Sequence, residues 1–247
     1  MNKPKVIVIC GPTASGKTAL SIELAKKIDG EIISCDSMQI YKDMNIGTAK
    51  VTKSEMQGIK HYLVDFVSPD TRYSVADYKT DAEKAIENII SKGKIPIIVG
   101  GTGLYVDSLV YGIEYQDIKL DEKYREELEE RVQKEGLEKL YEEATQIDSE
   151  AMKKISHNDK KRIMRVLEIY KATGKNKTEQ EIESRKSGVK YDYKVYAINM
   201  DREVLYDRIN KRVDFMIDEG LKGARELKEI IQKNACDRIN IKLMKSG

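Results

Sequence analysis

Tryptophan is missing from the sequence and phenylalanine occurs only twice, so the core must draw its aromatic share from fourteen tyrosines. The three cysteines, Cys10, Cys35 and Cys236, are odd in number, far apart and in no CxxC pair. That implies neither a disulfide framework nor a zinc site, and it points to the reducing cytoplasm. Histidine occurs only at His61 and His157, too sparsely for a zinc centre, so both are expected in structural or surface roles. Long apolar runs are lacking as well. The start, MNKPKVIVIC, offers about five apolar residues, too few for a signal core, and no later run reaches bilayer length, so no membrane partner is expected. Neither sign of charge dominates: 44 Lys and Arg against 42 Asp and Glu leave +2, which confines any nucleic-acid surface to a local patch.

What is present is an alternation of strand and helix signals. Val6 to Cys10 is an uninterrupted β-branched run, the pattern of a strand covered on both faces. Glu31 to Cys35 (EIISC) and Ile95 to Gly100 (IPIIVG) repeat it. The spacing predicts a helix from Lys17 to about Ile28 with Leu20, Leu24 and Ile28 on one face. A second helix is predicted over 73–93, burying Ala82, Ala85, Ile86, Ile89 and Ile90 and stopping at Gly93. Residues 121–150 then hold twelve acidic and five basic side chains at helical spacing, and KKISHNDKKRIMR (153–165) reverses the sign. A strand over 193–200 and a helix over 201–220 follow. The expectation is an α/β protein with a P-loop NTPase-like three-layer fold and a central parallel sheet. Residues 1–115 form the first part of its core, 116–190 a helical insert, and 191–247 the return to the core, with a monomer as the expected state.

GPTASGKT fits G-x-x-x-x-G-K-[ST], placed after an apolar strand and opening a helix. Gly11, Pro12, Thr13, Ala14, Ser15 and Gly16 form a loop whose N–H groups can turn onto phosphate oxygens. Lys17 adds a mobile charge, and the Thr18 hydroxyl can bind Mg2+. Asp36 follows the strand EIISC, and Asp65 ends HYLVDF; either could serve as the acid that organises a metal. GGTGLY, after IPIIVG, places Thr102 where its hydroxyl could reach Asp36, although a plain turn would look the same. Arg208 and Arg212, four residues apart, share one helix face.

Read in order, GPTASGKT, DSMQIY, NIGTAK, HYLVDFVSPDTRYSVADY, IPIIVGGTGLY and NDKKRIMRVLEIYKATGK resemble the tRNA dimethylallyltransferase family, from about Lys5 to Gly220. The resemblance implies that the cradle holds the pyrophosphate of dimethylallyl diphosphate, with Mg2+ on Thr18, and hydrolyses no nucleotide. It implies transfer of the five-carbon group to N6 of the adenosine just 3′ of a tRNA anticodon. Asp36 would be the base, Thr102 would contact the substrate base or diphosphate, and Arg208, slightly ahead of Arg212, would bind diphosphate. The target base would be flipped out. Asp36, Ser37, Met38 and Gln39 match the family's RNA-contacting segment. Lys161, Arg162, Ile163, Met164 and Arg165 in the insert would hold the anticodon loop, although the family usually has Gln where Lys161 stands. Helical angles put Ile163, Val166, Leu167 and Tyr170 on the apolar face of that segment.

After RVDFMIDEGL the family continues through a GYKE-like motif that KGARELKEIIQKNACDRINIKLMKSG lacks, though a helix from Ala224 to about Lys233 is possible there. Diphosphate binding should survive this departure, and RNA affinity is expected to be lower. Free AMP or ADP as acceptor, a P-loop nucleotide kinase, and an inactive RNA-binding remnant remain the alternatives.

Overall fold

The computed structural model describes residues 3–113, 121–185 and 188–218, which divide into two units. The first comprises Met1–Val110 with Lys190–Gly247, and the second Tyr111–Val189. The tail helix expected over 224–233 lies outside the described residues.

In chain order the first unit holds β1 (Lys5–Cys10), α1 (Lys17–Ile28), β2 (Gly30–Cys35), α2 (Lys53–Met56), β3 (His61–Tyr62), α3 (Val75–Ser91), β4 (Ile95–Gly100) and α4 (Gly103–Val110). After the second unit it resumes with β5 (Asp192–Ala197) and α10 (Arg202–Asp218). All five strands are parallel, in the order β3-β2-β4-β1-β5. The order follows from residue type: β2 is buried at every position and β4 at all but its first, as centre strands of a covered parallel sheet must be. β5, an edge, leaves Val195 and Tyr196 exposed.

One face of the sheet packs Val6, Val8, Ile33 and Ile98 against Tyr78, Ala82, Ile86 and Ile89 of α3. The ring of Tyr78 stacks on Tyr105 of α4 at 3.9 Å, so tyrosine does supply the aromatic core. The other face packs Ile9, Ile32 and Ile97 against Ile22 and Ala25 of α1. Fully burying one such aliphatic side chain contributes about 1.5–3 kcal/mol. Leu20 is a correction: it lies 49% exposed, and the buried stripe of α1 is Ser21, Ile22 and Ala25. With Ser21, Ile22 and Ala25 facing the sheet, Leu20 lies beyond the edge of the buried stripe. Helix α3 starts at a capping box in which Ser74 and Asp77 satisfy each other's backbone N–H groups.

The register sets up the site. Ala197, Cys10, Gly100 and Cys35 align across β5, β1, β4 and β2, so the loops after these strands leave from one line. Gly100 is required there, because a Cβ would lie 2.0 Å from the Cys35 carbonyl oxygen.

The second unit is helical: α5 (Glu122–Glu135), α6 (Leu137–Ile147), α7 (Ser149–Met152), α8 (Lys160–Thr173) and α9 (Lys177–Arg185). Asp121, Asp148 and Asp159 cap α5, α7 and α8. Leu128, Leu140, Ala144, Met152, Ile163, Met164, Val166 and Leu167 form its core, whereas Tyr170, expected on that face, is 45% exposed.

Candidate active site

The loop between β1 and α1 has the conformation its glycines anticipate. Gly16 is left-handed (φ 90°) at the N-cap of α1, and Gly11, at φ 153°, runs so close to Ile198 that an added Cβ would lie 3.1 Å from its carbonyl oxygen. Lys17 Nζ donates to the carbonyls of Gly11 at 2.8 Å and Pro12 at 2.5 Å, which folds the ammonium back over the loop. Burial, then the charge of Arg212, lowers the Lys17 pKa, with Asp36 and Cys10 acting in the opposite sense. The Ser15 hydroxyl is buried without a hydrogen-bond partner. Thr18 is exposed at the first turn of α1.

Asp36, leaving β2, spends one carboxylate oxygen on structure: Oδ1 accepts from the N–H of Met38 at 2.8 Å and of Gln39 at 3.3 Å. Oδ2 takes no part in that turn. Thr102, in the loop after β4, receives the Ser37 N–H on Oγ1 at 3.0 Å and points its own hydroxyl to Ser37 Oγ at 3.4 Å. Its N–H donates to the Cys35 carbonyl at 3.2 Å. Thr102 is therefore a clamp on the Asp36 turn, its hydroxyl bonding to Ser37 where contact with Asp36 was expected.

Arg212 on α10 is half-buried, and burial lowers its pKa while Asp36 and then Glu55 oppose the shift. One guanidinium nitrogen donates to the Ala49 carbonyl at 3.4 Å, and its buried Nε has no partner. Arg208 is more exposed, with its NH1 3.9 Å from where a Cβ on Gly16 would stand. Both arginines thus reach the cradle's surroundings, one over the loop and one among Lys17 and Asp36. The Gln39 amide holds the carbonyls of Thr48 and Ala49 at 3.4 and 3.3 Å, so NIGTAK serves as a brace between the Asp36 turn and α10. Nothing in the residue types of NIGTAK announces this bracing role. Asp65, weighed as a metal-organising acid, is instead ion-paired with Lys50 at 2.5 Å, which depresses its pKa.

Within the second unit, Lys161 and Arg162 are exposed and Arg165 is half-buried on α8. Ile163 and Met164 are corrections to the RNA-contacting set: at 0% and 1% exposure they are core residues with no side-chain surface to offer. Ile163 lies on the apolar face that the helical angles give, and Met164 beside it joins the same core. His157 stacks on Tyr141 at 3.8 Å at the surface, and His61 Nδ1 bonds to the Ile59 carbonyl. Among the described residues no group of three or more His, Cys, Asp or Glu could hold a metal, and no helix is long and apolar enough to cross a membrane.

Residues 39–246 match the family model described as IPP transferase, which carries the match well past Gly220, where the recognised motifs stop. The tRNA dimethylallyltransferase of Acetivibrio thermocellus is 50% identical over 227 residues, spanning 92% of this chain and 72% of the relative. That of Bacillus cytotoxicus is 46% identical, spanning 95% and 73%. The crystal structure of the full-length tRNA isopentenylpyrophosphate transferase of Bacillus halodurans is similar at a TM-score of 0.60 and 42% identity, covering 95% of this chain and 72% of that one. A eukaryotic dimethylallyltransferase captured acting on tRNA gives a TM-score of 0.69 at 34% identity, covering 94% and 57%.

Proposed function

The chain belongs to the IPP transferase family, and from that premise we propose that its cradle grips the diphosphate of dimethylallyl diphosphate while Asp36 activates the acceptor amine. The activity is prenylation of tRNA at N6 of the adenosine just 3′ of the anticodon. In the step, the bond between the allylic carbon and the diphosphate oxygen breaks as the bond from N6 to that carbon forms. The N6 proton passes to Asp36 Oδ2, and diphosphate departs.

Each residue has a task that follows from its position. Negative charge grows on the leaving oxygen, so Lys17, the loop N–H groups and the positive end of α1 stabilise the departing group. The unpartnered Ser15 hydroxyl and Arg212 Nε are donors that a diphosphate would satisfy, and Arg208 stands over the same loop. An exocyclic adenine amine is a weak nucleophile, so a carboxylate at its proton is the catalyst the reaction needs. Thr102 fixes that carboxylate by holding Ser37. The base must leave its stack to arrive there, and Ser37, Met38 and Gln39 border the place it would occupy.

Among the described residues no acidic cluster would bind Mg2+ alone, so the ion fits as one that would be carried in by the diphosphate, with the Thr18 hydroxyl as a protein ligand. Bound, it would neutralise charge on the leaving group. Lys161, Arg162 and Arg165 hold phosphates of the anticodon arm. The protein acts as a monomer in the compartment that holds tRNA.

The observation that carries this reading is the Asp36 carboxylate, half-spent on the Met38 and Gln39 N–H groups, leaving β2 from the same line of strand ends that launches the cradle loop. Unmodified tRNA, labelled dimethylallyl diphosphate and Mg2+ test it: label should enter the anticodon arm with one diphosphate released per label. Label appearing in AMP but not in tRNA, or ATP consumed without prenyl donor, would sink it.

A further inference from the structure

Glu168 has no place in the mechanism above, yet it is an ionisable group buried in a helical core. It lies on α8 at 6% exposure, between Leu167 and Ile169, where an apolar residue would be cheaper. Its Oε2 accepts from Arg165 NH1 at 3.2 Å. Its Oε1 is buried and has no hydrogen bond; its neighbour there is Arg125 Nε of α5, at the ion-pair distance of 3.8 Å. The two arginine side chains are about equally open, 41% for Arg125 and 39% for Arg165. Arg125 meets the carboxylate through Nε and Arg165 through NH1, and both side chains keep surface open to solvent. One shared carboxylate relieves the repulsion between the two cations and restrains both side chains.

Arg162 differs, being 66% exposed and paired with Asp159 on its own helix turn. Arg131, also on α5, is tied to Glu143 at 2.7 Å and to Glu135 at 3.5 Å.

We propose that Glu168 is a positioning residue that sets Arg125 and Arg165 side by side as a two-guanidinium clamp for one backbone phosphate of the RNA substrate, making Arg125 an RNA-binding residue. Planar guanidinium forks bind phosphate oxygens in pairs, and a fork already held in place loses less freedom on binding. The buried, half-satisfied carboxylate is then retained for aim: an apolar residue would pack as well but leave two loose arginines. The proposal rests on the reading that this unit binds tRNA.

The test is tRNA affinity across a salt series, with steady-state kinetics and thermal melting on the same variants. A lower salt slope in Lys161→Ala and Arg162→Ala, both exposed on α8, establishes the underlying reading independently of Glu168; no tRNA binding by wild type overturns both. Arg125→Ala should reduce the slope of log affinity against log salt by about 1 and weaken tRNA binding about tenfold. The KM for tRNA should rise while kcat and the KM for the prenyl donor hold. Arg131→Ala, the control, should change none of these. Glu168→Gln should lower affinity, and should make Arg125→Ala less costly when the two are combined. Arg125→Ala with wild-type affinity and slope overturns the clamp, as does an equal loss in Arg131→Ala. Glu168→Gln that melts earlier but keeps the wild-type salt slope makes Glu168 a structural bridge only, which also overturns it. Should Glu168→Gln not fold, the surface variant Arg125→Ala decides alone.

Discussion

Lys17 carries its charge against its surroundings, since burial and Arg212 both favour the neutral amine. Its folded pKa lies below 10.5, so the penalty is fully present below that lowered value. The penalty fades as pH rises from there to 10.5, where the unfolded chain still holds the proton. Lys17→Met should therefore melt no earlier than wild type at neutral pH, and wild type should gain on it as pH climbs through that window. Pyrophosphate affinity, read by calorimetry, should fall at least about tenfold, because a charge-assisted contact is lost. A variant that melts much earlier would assign Lys17 to structure. Asp36 separates its two oxygens in the same way. Asp36→Asn keeps the Oδ1 acceptor for Met38 and Gln39, so tRNA binding and folding should persist while kcat drops about 10²–10⁴-fold. Unchanged turnover would remove Asp36 as the base. Thr102→Val, which takes the acceptor from Ser37 N–H, should cost about 1–3 kcal/mol and slow turnover, with Thr102→Ser close to wild type. Urea melts and single-turnover rates read both.

At the scale of elements, the glycine that lets β4 end beside Cys35 is the least replaceable. Gly100→Ala would press a methyl into the Cys35 carbonyl and move the line from which the Asp36 and Thr102 loops depart, so loss of turnover and stability should come together. Ser74→Ala is its counterpart. Losing half of the α3 capping box should cost about 1 kcal/mol in urea and leave turnover alone. Elements of this kind were legible where residue type forces the outcome: β1, β2 and β4 as β-branched runs, and α1 as the helix behind GPTASGKT, over Lys17–Ile28 as expected. Helix α4 was not, because GGTGLY reads as a turn from its glycines. It forms through the Tyr105 and Val106 N–H groups on the Thr102 carbonyl and the burial of Tyr105 against Tyr78. The two-residue β3 carries too little pattern to see, and which side of α1 is buried depends on where the sheet lies. The site divides similarly. Lys17, Asp36 and Thr102 come from strand ends, which sequence locates, whereas the pairing of Arg125 with Glu168 needs α5 and α8 to be packed together.

For the whole molecule, the phosphate cradle, Asp36, Thr102, Arg208 and Arg212 all belong to the first unit, while Lys161, Arg162, Arg165, Arg125 and Glu168 belong to the second. The entry and exit of the second unit meet: a Cβ on Gly112 would lie 3.0 Å from the Gly188 carbonyl oxygen. A short Gly-Ser linker can therefore replace 113–187 without stretching the chain. The two units also have separate cores, one of sheet and flanking helices and one of Leu128, Leu140, Met152 and Leu167. The linker variant should fold, bind pyrophosphate with an affinity within about threefold of the full chain, and lose most of the salt-dependent affinity for tRNA. Titration calorimetry with pyrophosphate and filter binding with tRNA, side by side, measure the two losses independently. If pyrophosphate binding falls together with tRNA binding while the melting curve stays cooperative, the second unit contributes to the cradle and the division of labour is wrong. If tRNA affinity survives at full salt dependence, the grip on RNA lies in the first unit, with Ser37, Met38 and Gln39 at its centre.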